Sequence, residues 1–395
     1  MTEKLAEDSH MKKILDMVAD VFFYAGIFCE MLAGFSGYVE CGNIMKYIIF
    51  LGMGCFCAKI LLNINVKKDW WLVLVFVVYG AICYYFQRSA LVFRIELILL
   101  AGRNMDSRKV FKLFFAGTLI ITIVIMIMAV LGMRGDLYEI ARFRGYDEEK
   151  RYCFGFLHPN SFSIIAFKIL IMFYYAFYEK LHWWVIISTS TIVIPFVFLS
   201  GSITAIFVSL FVIVAVILFK IFKGNGFRRL TYILGNIGIL ATIGFSYAVM
   251  FLFDGKLEEI DGDYVAVGFW ETINQRFFHG RLSIAYDAYK LYGLKPFGMK
   301  SDTVTAEIGY INTTLNQGYV FMCIYVLIVF ILFYKLYKAK NSMGMIVVLA
   351  IVFYSFMESF IPYPNKNLIW LVGIGYLFTT VHGDAEKNEQ YLQKK

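Results

Sequence analysis

Charge is scarce in this 395-residue chain: 17% of residues are Asp, Glu, Lys or Arg, against 60% hydrophobic, and the mean hydropathy is +0.68. That balance excludes a soluble globular domain, in which about a quarter of residues are charged, and indicates a polytopic membrane protein. Proline is rare too. Of five, only Pro195 falls inside a predicted span, so the paired broken helices of many secondary transporters are not suggested. The seven cysteines (Cys29, Cys41, Cys55, Cys57, Cys83, Cys153 and Cys323) are odd in number and lie mostly in apolar runs. They offer neither a disulfide framework nor a paired zinc motif, and the Cys55/Cys57 pair reads as membrane packing. No metal-ligand cluster is visible, and neither metal nor cofactor is expected. No removable signal is expected at the start, where Met1 to Lys13 reads as a charged cytoplasmic lead-in. The net charge of +8 calls for no nucleic acid, because basic residues sit in short loops where they fix orientation and meet anionic lipid headgroups.

What is abundant is long apolar runs. A spanning helix takes about 20 apolar residues, and the sequence predicts an all-α protein, one membrane domain over 1–395, with about twelve spans. These fall at 18–38, 46–64, 70–86, 89–102, 112–132, 161–178, 183–199, 203–222, 230–252, 318–335, 344–361 and 366–381. The fourth is short and carries Arg94 and Glu96. Alternate connections hold Lys67 and Lys68; Arg103, Arg108, Lys109 and Lys112; Lys220, Lys223, Arg228 and Arg229; then Lys335, Lys338 and Lys340. The positive-inside rule makes these cytoplasmic, with both termini. Two long connections remain on the outer side, about 133–160 and 253–317, the second net acidic. Function is expected there.

The first connection reads "GMRGDLYEIARFRGYDEEKRYCFGFLHPN". Arg142, Arg144 and Arg151 lie where the topology rule gives no reason for them, and a guanidinium fork matches phosphate oxygens. Arg142 and Arg144 either bind an anion or pair with Asp147, Glu148 and Glu149 in a solvated loop. Next to Arg151 the run "FGFLHPN" joins glycine, aromatic, imidazole and a proline turn before a helix near Ser161. Asn160 either caps that helix or meets a ligand, and His158 is a base, a phosphate donor or a structural histidine. In the second connection Arg281 begins an amphipathic segment, with Leu282, Ala285, Ala288 and Tyr289 at helical spacing, that reads as a helix along the membrane surface. Glu307 and Tyr310 follow just before a span. "SGSITA", 200–205, is a tight turn or a place of close contact.

Together, "RYCFGFLHPN", "GRLSIAYDAYKLYGLKPFG", "ELILLAGRNMDSRKVFK" and the overall topology resemble the Wzy-type polysaccharide polymerases, grouped with the O-antigen ligases. The resemblance implies an enzyme of the bacterial cytoplasmic membrane that joins undecaprenyl-diphosphate-linked oligosaccharide repeats on its outer face. It implies that Arg151 and Arg281 hold the diphosphate, and that a flippase and a chain-length regulator are partners. Where the family often has Asp-Asn-x-Tyr, this chain reads "EIGY", keeping Glu307 and Tyr310. The ligase hallmark, a histidine before a small polar residue in the second connection, is absent. A base must take the acceptor's proton, and His158 and then Glu307 are the candidates. A flippase for the same lipid is the alternative from another class, although intramembrane charges are few: Glu30, Arg94, Glu96 and Glu358.

Overall fold

The structure is a computed structural model and describes residues 2–36, 38, 42–63, 66–103, 105–142, 148–260, 263–278, 280–300 and 304–378. The chain is a helical membrane protein. It runs through α1 (Thr2–Ala33), α2 (Ile44–Asn63), α3 (Val66–Gln87), α4 (Leu91–Ala101) and α5 (Ser107–Val130) to a hairpin of β1 (Tyr138–Arg142) and β2 (Glu148–Tyr152). Then come α6 (Pro159–Phe177), α7 (Trp183–Leu199), α8 (Ile203–Ile221) and α9 (Asn225–Leu252), followed by a second hairpin of β3 (Lys256–Ile260) and β4 (Asp263–Val267). The rest is α10 (Phe269–Ile273), α11 (Arg281–Tyr292), α12 (Gly309–Gln317), α13 (Tyr319–Lys338), α14 (Ser342–Met357) and α15 (Leu368–Tyr376).

Seven helices are long and apolar enough to cross a membrane: α2, α3 from Trp70, α5, α6 continued to Lys180, α8, α9 and α13. α7 and α14 are apolar but shorter. Twelve spans were expected, and two of the helices at those places fall well short. α4 has 11 residues and α15 nine, about 16 Å and 14 Å of rise against a hydrocarbon core near 30 Å. The eleventh expected span also stops early. α14 ends at Met357, which leaves Glu358 in a non-helical connection running to Asn367.

α6 and α14 form the centre. Both are buried on nearly every face, and Phe167 stacks on Tyr354 between them at 4.9 Å with 1° between ring planes. α14 packs against α6, α8, α9, α12, α13 and α15. The peripheral helices instead turn apolar residues outward, as α5 does with Ile120, Ile123, Val124 and Ile127. A helix that is apolar all round belongs in lipid, where its backbone bonds are satisfied internally. Two acids of α1 are paired: in the interior Arg94 grips Glu30 with two bonds of 3.0 and 2.6 Å, and a buried Lys59 meets the half-exposed Asp20 at 2.6 Å.

The two long connections are more structured than loops. In the first, opposite charges face each other at Glu139 and Arg151, and Tyr138 pairs with Tyr152, with Lys150 Nζ 3.7 Å from the Tyr138 ring centre. The second has its own apolar core of Val249, Met250, Leu282, Ala285, Ile308 and Ile311. α11 therefore buries the expected stripe, Leu282, Ala285 and Ala288, against protein and not along a lipid surface. α12, expected as loop, is buried at every residue but Asn312.

Candidate functional site

Arg151 ends up 5% exposed because the hairpin folds β2 back over the turn between α7 and α8. Its Nε donates to the Ser200 carbonyl at 3.0 Å and its Nη2 to Asn160 Oδ1 at 3.0 Å. Gly201 makes this approach possible. It sits at φ +64°, and a Cβ there would come within 2.7 Å of the Arg151 Nε. Asn160 is thus a partner of the arginine. The helix cap expected of Asn160 belongs to His158, whose Nδ1 accepts from the Asn160 N–H at 3.1 Å while Pro159 occupies the first helical position. The other ring nitrogen of His158 faces Glu139 at 3.5 Å.

Arg281 opens α11 just after Gly280, which adopts φ +83° to turn the chain into the helix. Its Nε is 3.2 Å from Glu307 Oε2, and its Nη1 donates to the Met357 carbonyl at 3.0 Å at the end of α14. A quarter of the Arg281 side chain is exposed. The two arginines come from connections more than a hundred residues apart, yet they share one electrostatic neighbourhood. Burial holds the Arg151 guanidinium below its ordinary range; Glu149 and Glu139 oppose that, and the like charge of Arg281 adds to it.

A carboxylate and two lysines complete the cluster. Glu358 follows Met357, and burial pushes its carboxyl up to about 7, against the pull of Arg281 and Lys366 and with help from Glu307. None of the described residues donates a hydrogen bond to this carboxylate. Lys366 lies over the rings of Tyr38 at 4.6 Å and Tyr363 at 4.9 Å, and burial lowers its ammonium to about 8. Lys168, from the interior of α6, donates to the Asn365 carbonyl at 2.6 Å. The connection from Glu358 to Asn367 is held in shape by Asn367 Nδ2 and Trp370 Nε1, both donating to the Ile361 carbonyl at 3.1 and 3.0 Å. Tyr38 Oη and Asn365 Oδ1 are buried beside it without a hydrogen-bond partner among the described residues.

Of the residues singled out in the sequence, the structure joins Arg151 with Asn160 and Arg281 with Glu307, and brings the two pairs within electrostatic reach of each other. Tyr310 is elsewhere: it is fully buried, and its hydroxyl donates to the Val352 carbonyl at 2.9 Å. Arg142 pairs by its backbone with Glu148, but its side chain lies outside the described residues, as does Arg144 entirely. Sequence reading missed Lys168 and Lys366, and gave Glu358 no role. The usable signal was a charge inside or beside an apolar run. Among the described residues no group of three or more His, Cys, Asp and Glu side chains is gathered as a metal would require. Electrostatically, guanidinium and ammonium groups from β2, α11 and the Glu358–Asn367 connection act on one another beside a protonatable carboxylate, a combination of charges that suits an anion. No family model, curated protein or solved structure matches this chain.

Proposed function

We propose that the chain is a polysaccharide polymerase that joins undecaprenyl-diphosphate-linked oligosaccharide repeats. The observation that carries this reading is the convergence of Arg151 and Arg281, from two separate connections, on one partly buried site. A diphosphate suits this pair of charges, because each guanidinium fork matches phosphoryl oxygens and a diphosphate offers two adjoining phosphoryl groups. A hydroxyl of one lipid-linked repeat attacks the anomeric carbon of the growing chain, the glycosidic bond forms, and the bond to undecaprenyl diphosphate breaks. Charge grows on the leaving diphosphate, where Arg151 and Arg281 stabilise it; preorganised donors of this kind are worth about 3–4 kcal/mol each.

The sequence offered His158 and then Glu307 as the base that takes the hydroxyl proton, and Glu358, within electrostatic reach of Glu307, is a third group. Glu307 is held by Arg281, and His158 uses one ring nitrogen as the α6 cap. Glu358, with its carboxyl near 7 and no donor upon it among the described residues, is the better suited. In this reading α1, α7, α14 and the short α4 and α15 bring the crossings to twelve, with both termini in the cytoplasm and the site on the outer face of the bacterial cytoplasmic membrane. Membrane lipids surround the chain, and a flippase and a chain-length regulator are its partners.

Purified protein incubated with lipid-linked repeat units tests the function. A ladder of lengthening products is expected. Transfer to a different acceptor would make the protein a ligase, and translocation without transfer a flippase.

A further inference from the structure

Ser342 opens α14, and Met357, whose carbonyl holds Arg281, closes it; at 1.5 Å per residue the two ends are about 24 Å apart. At the Ser342 end lies a cavity of about 210 Å³. Four of its lining residues are cations, Lys220, Lys223, Arg228 and Lys340, and none is an acid. They arrive on separate pieces of chain. Lys220 is in the last turn of α8, Lys223 connects α8 to α9, Arg228 is in the first turn of α9, and Lys340 follows α13. Lys223 repels Lys220, and Glu179, which opposes that from outside the lining, also pairs with Arg108 at 2.7 Å.

Two of the donors, Arg228 and Lys220, are held by side-chain contacts, and the backbone is fixed at Lys340. Arg228 gives Nη1 to Asn225 Oδ1 at 2.8 Å, while its Nε is buried with no hydrogen-bond partner among the described residues. A buried guanidinium N–H left so is costly unless something accepts from it. Lys340 sits at φ +55°, fixed where α13 ends by the Asn341 N–H to the Leu336 carbonyl at 2.9 Å. Lys220 lies 4.8 Å from the Tyr178 ring centre, a cation–π contact that keeps the ammonium at the cavity wall. Around the cavity the surface turns apolar: Phe222 is exposed in its wall, Ile221 is exposed at the end of α8, and Leu230 and Ile233 are exposed along α9.

We propose that this cavity is a binding site for the phosphate headgroup of an anionic membrane phospholipid. The phosphate oxygens accept from Arg228 and the lysines, and the acyl chains lie along the exposed apolar faces of α8 and α9. The apolar surface is what favours a lipid over free phosphate, since the latter would leave it unused. The site is independent of the polymerase reading.

Native mass spectrometry of the detergent-solubilised full chain, titrated with phosphatidylglycerol or phosphatidylcholine, tests it. Wild-type protein should retain phosphatidylglycerol at roughly tenfold lower concentration than phosphatidylcholine, and Arg228→Gln should weaken that binding about fivefold, the usual worth of one charge at a lipid surface. Combining Lys220→Gln, Lys223→Gln, Arg228→Gln and Lys340→Gln should erase the preference, whereas Lys12→Gln with Lys13→Gln should keep it. If the combined variant does not fold, Arg228→Gln alone decides. Equal binding of both lipids by the wild type, or a preference unchanged in Arg228→Gln and the combined variant, would overturn the proposal. Displacement of phosphatidylglycerol by excess inorganic phosphate would assign the site to free phosphate and equally overturn it.

Discussion

Arg281 forms an ion pair with Glu307, Nε to Oε2 at 3.2 Å, and donates Nη1 to the Met357 carbonyl, which leaves Nη2 without a partner among the described residues and a quarter of the side chain exposed. Those features suit a group that both holds its place and receives a ligand. Arg281→Ala is expected to lower polymer formation about a hundredfold or more at equal protein level, the usual consequence of removing one preorganised donor. Arg281→Lys should recover only part of it, because an ammonium cannot form the planar fork. Product quantified against membrane-inserted protein checks both. Glu358 carries a second prediction, whose sign follows from its raised pKa. A base works deprotonated, so activity that depends on Glu358 should fall as pH drops through about 7, where burial has placed its carboxyl. Glu358→Gln should remove that acid limb along with most of the rate, while Glu307→Gln should keep the limb. A pH–rate profile with an unchanged acid limb in Glu358→Gln would return the role to His158 or Glu307.

Among the elements, the short α4 is anchored from within the bundle. Its Arg94 is paired with Glu30 of α1 in the interior, both nearly without exposure. Removing one partner of such a pair typically costs about 3–5 kcal/mol because the other is left charged and buried. Glu30→Ala should therefore lower the thermal unfolding midpoint sharply, and Glu30→Met combined with Arg94→Met should restore most of it. α12 meets α14 at Gly309, where a Cβ would overlap the Ser355 carbonyl oxygen, so Gly309→Ala is expected to destabilise the protein by about 1–3 kcal/mol in the same assay. These contacts also show what the sequence could and could not convey. Apolar length located the long helices, and the spacing of Leu282, Ala285 and Ala288 located α11. The hairpins were hidden because "YEIAR" and "EEKRY" are dominated by charge, so the pairing of Glu139 with Arg151 appears only once the strands meet. The site was partly legible for a similar reason. Arg151 and Arg281 stand out as charges in odd places, whereas Lys366 and the carboxylate of Glu358 acquire meaning only when the non-helical connection after α14 is brought against α11. Tyr310 looked available because nothing in "EIGY" reveals that α12 turns it into the core.

For the whole molecule, the account requires that both arginine-bearing connections face the outside while the basic cavity faces the cytoplasm. Placement of charge favours this, since the basic connections alternate with the two long ones and basic loops are retained inside. The structure offers clean labelling positions for each side. Ile140 in the first hairpin and Leu291 on α11 are 61% and 74% exposed, and Gly224, between α8 and α9, has open space where a side chain would go. In a background without the native cysteines, Ile140→Cys, Leu291→Cys and Gly224→Cys can be tested one at a time on intact cells with a membrane-impermeant thiol reagent. The first two should be labelled and the third protected until the membrane is opened. Labelling of Gly224→Cys with protection of the other two would put both arginines in the cytoplasm and contradict a polymerase working on the outer face.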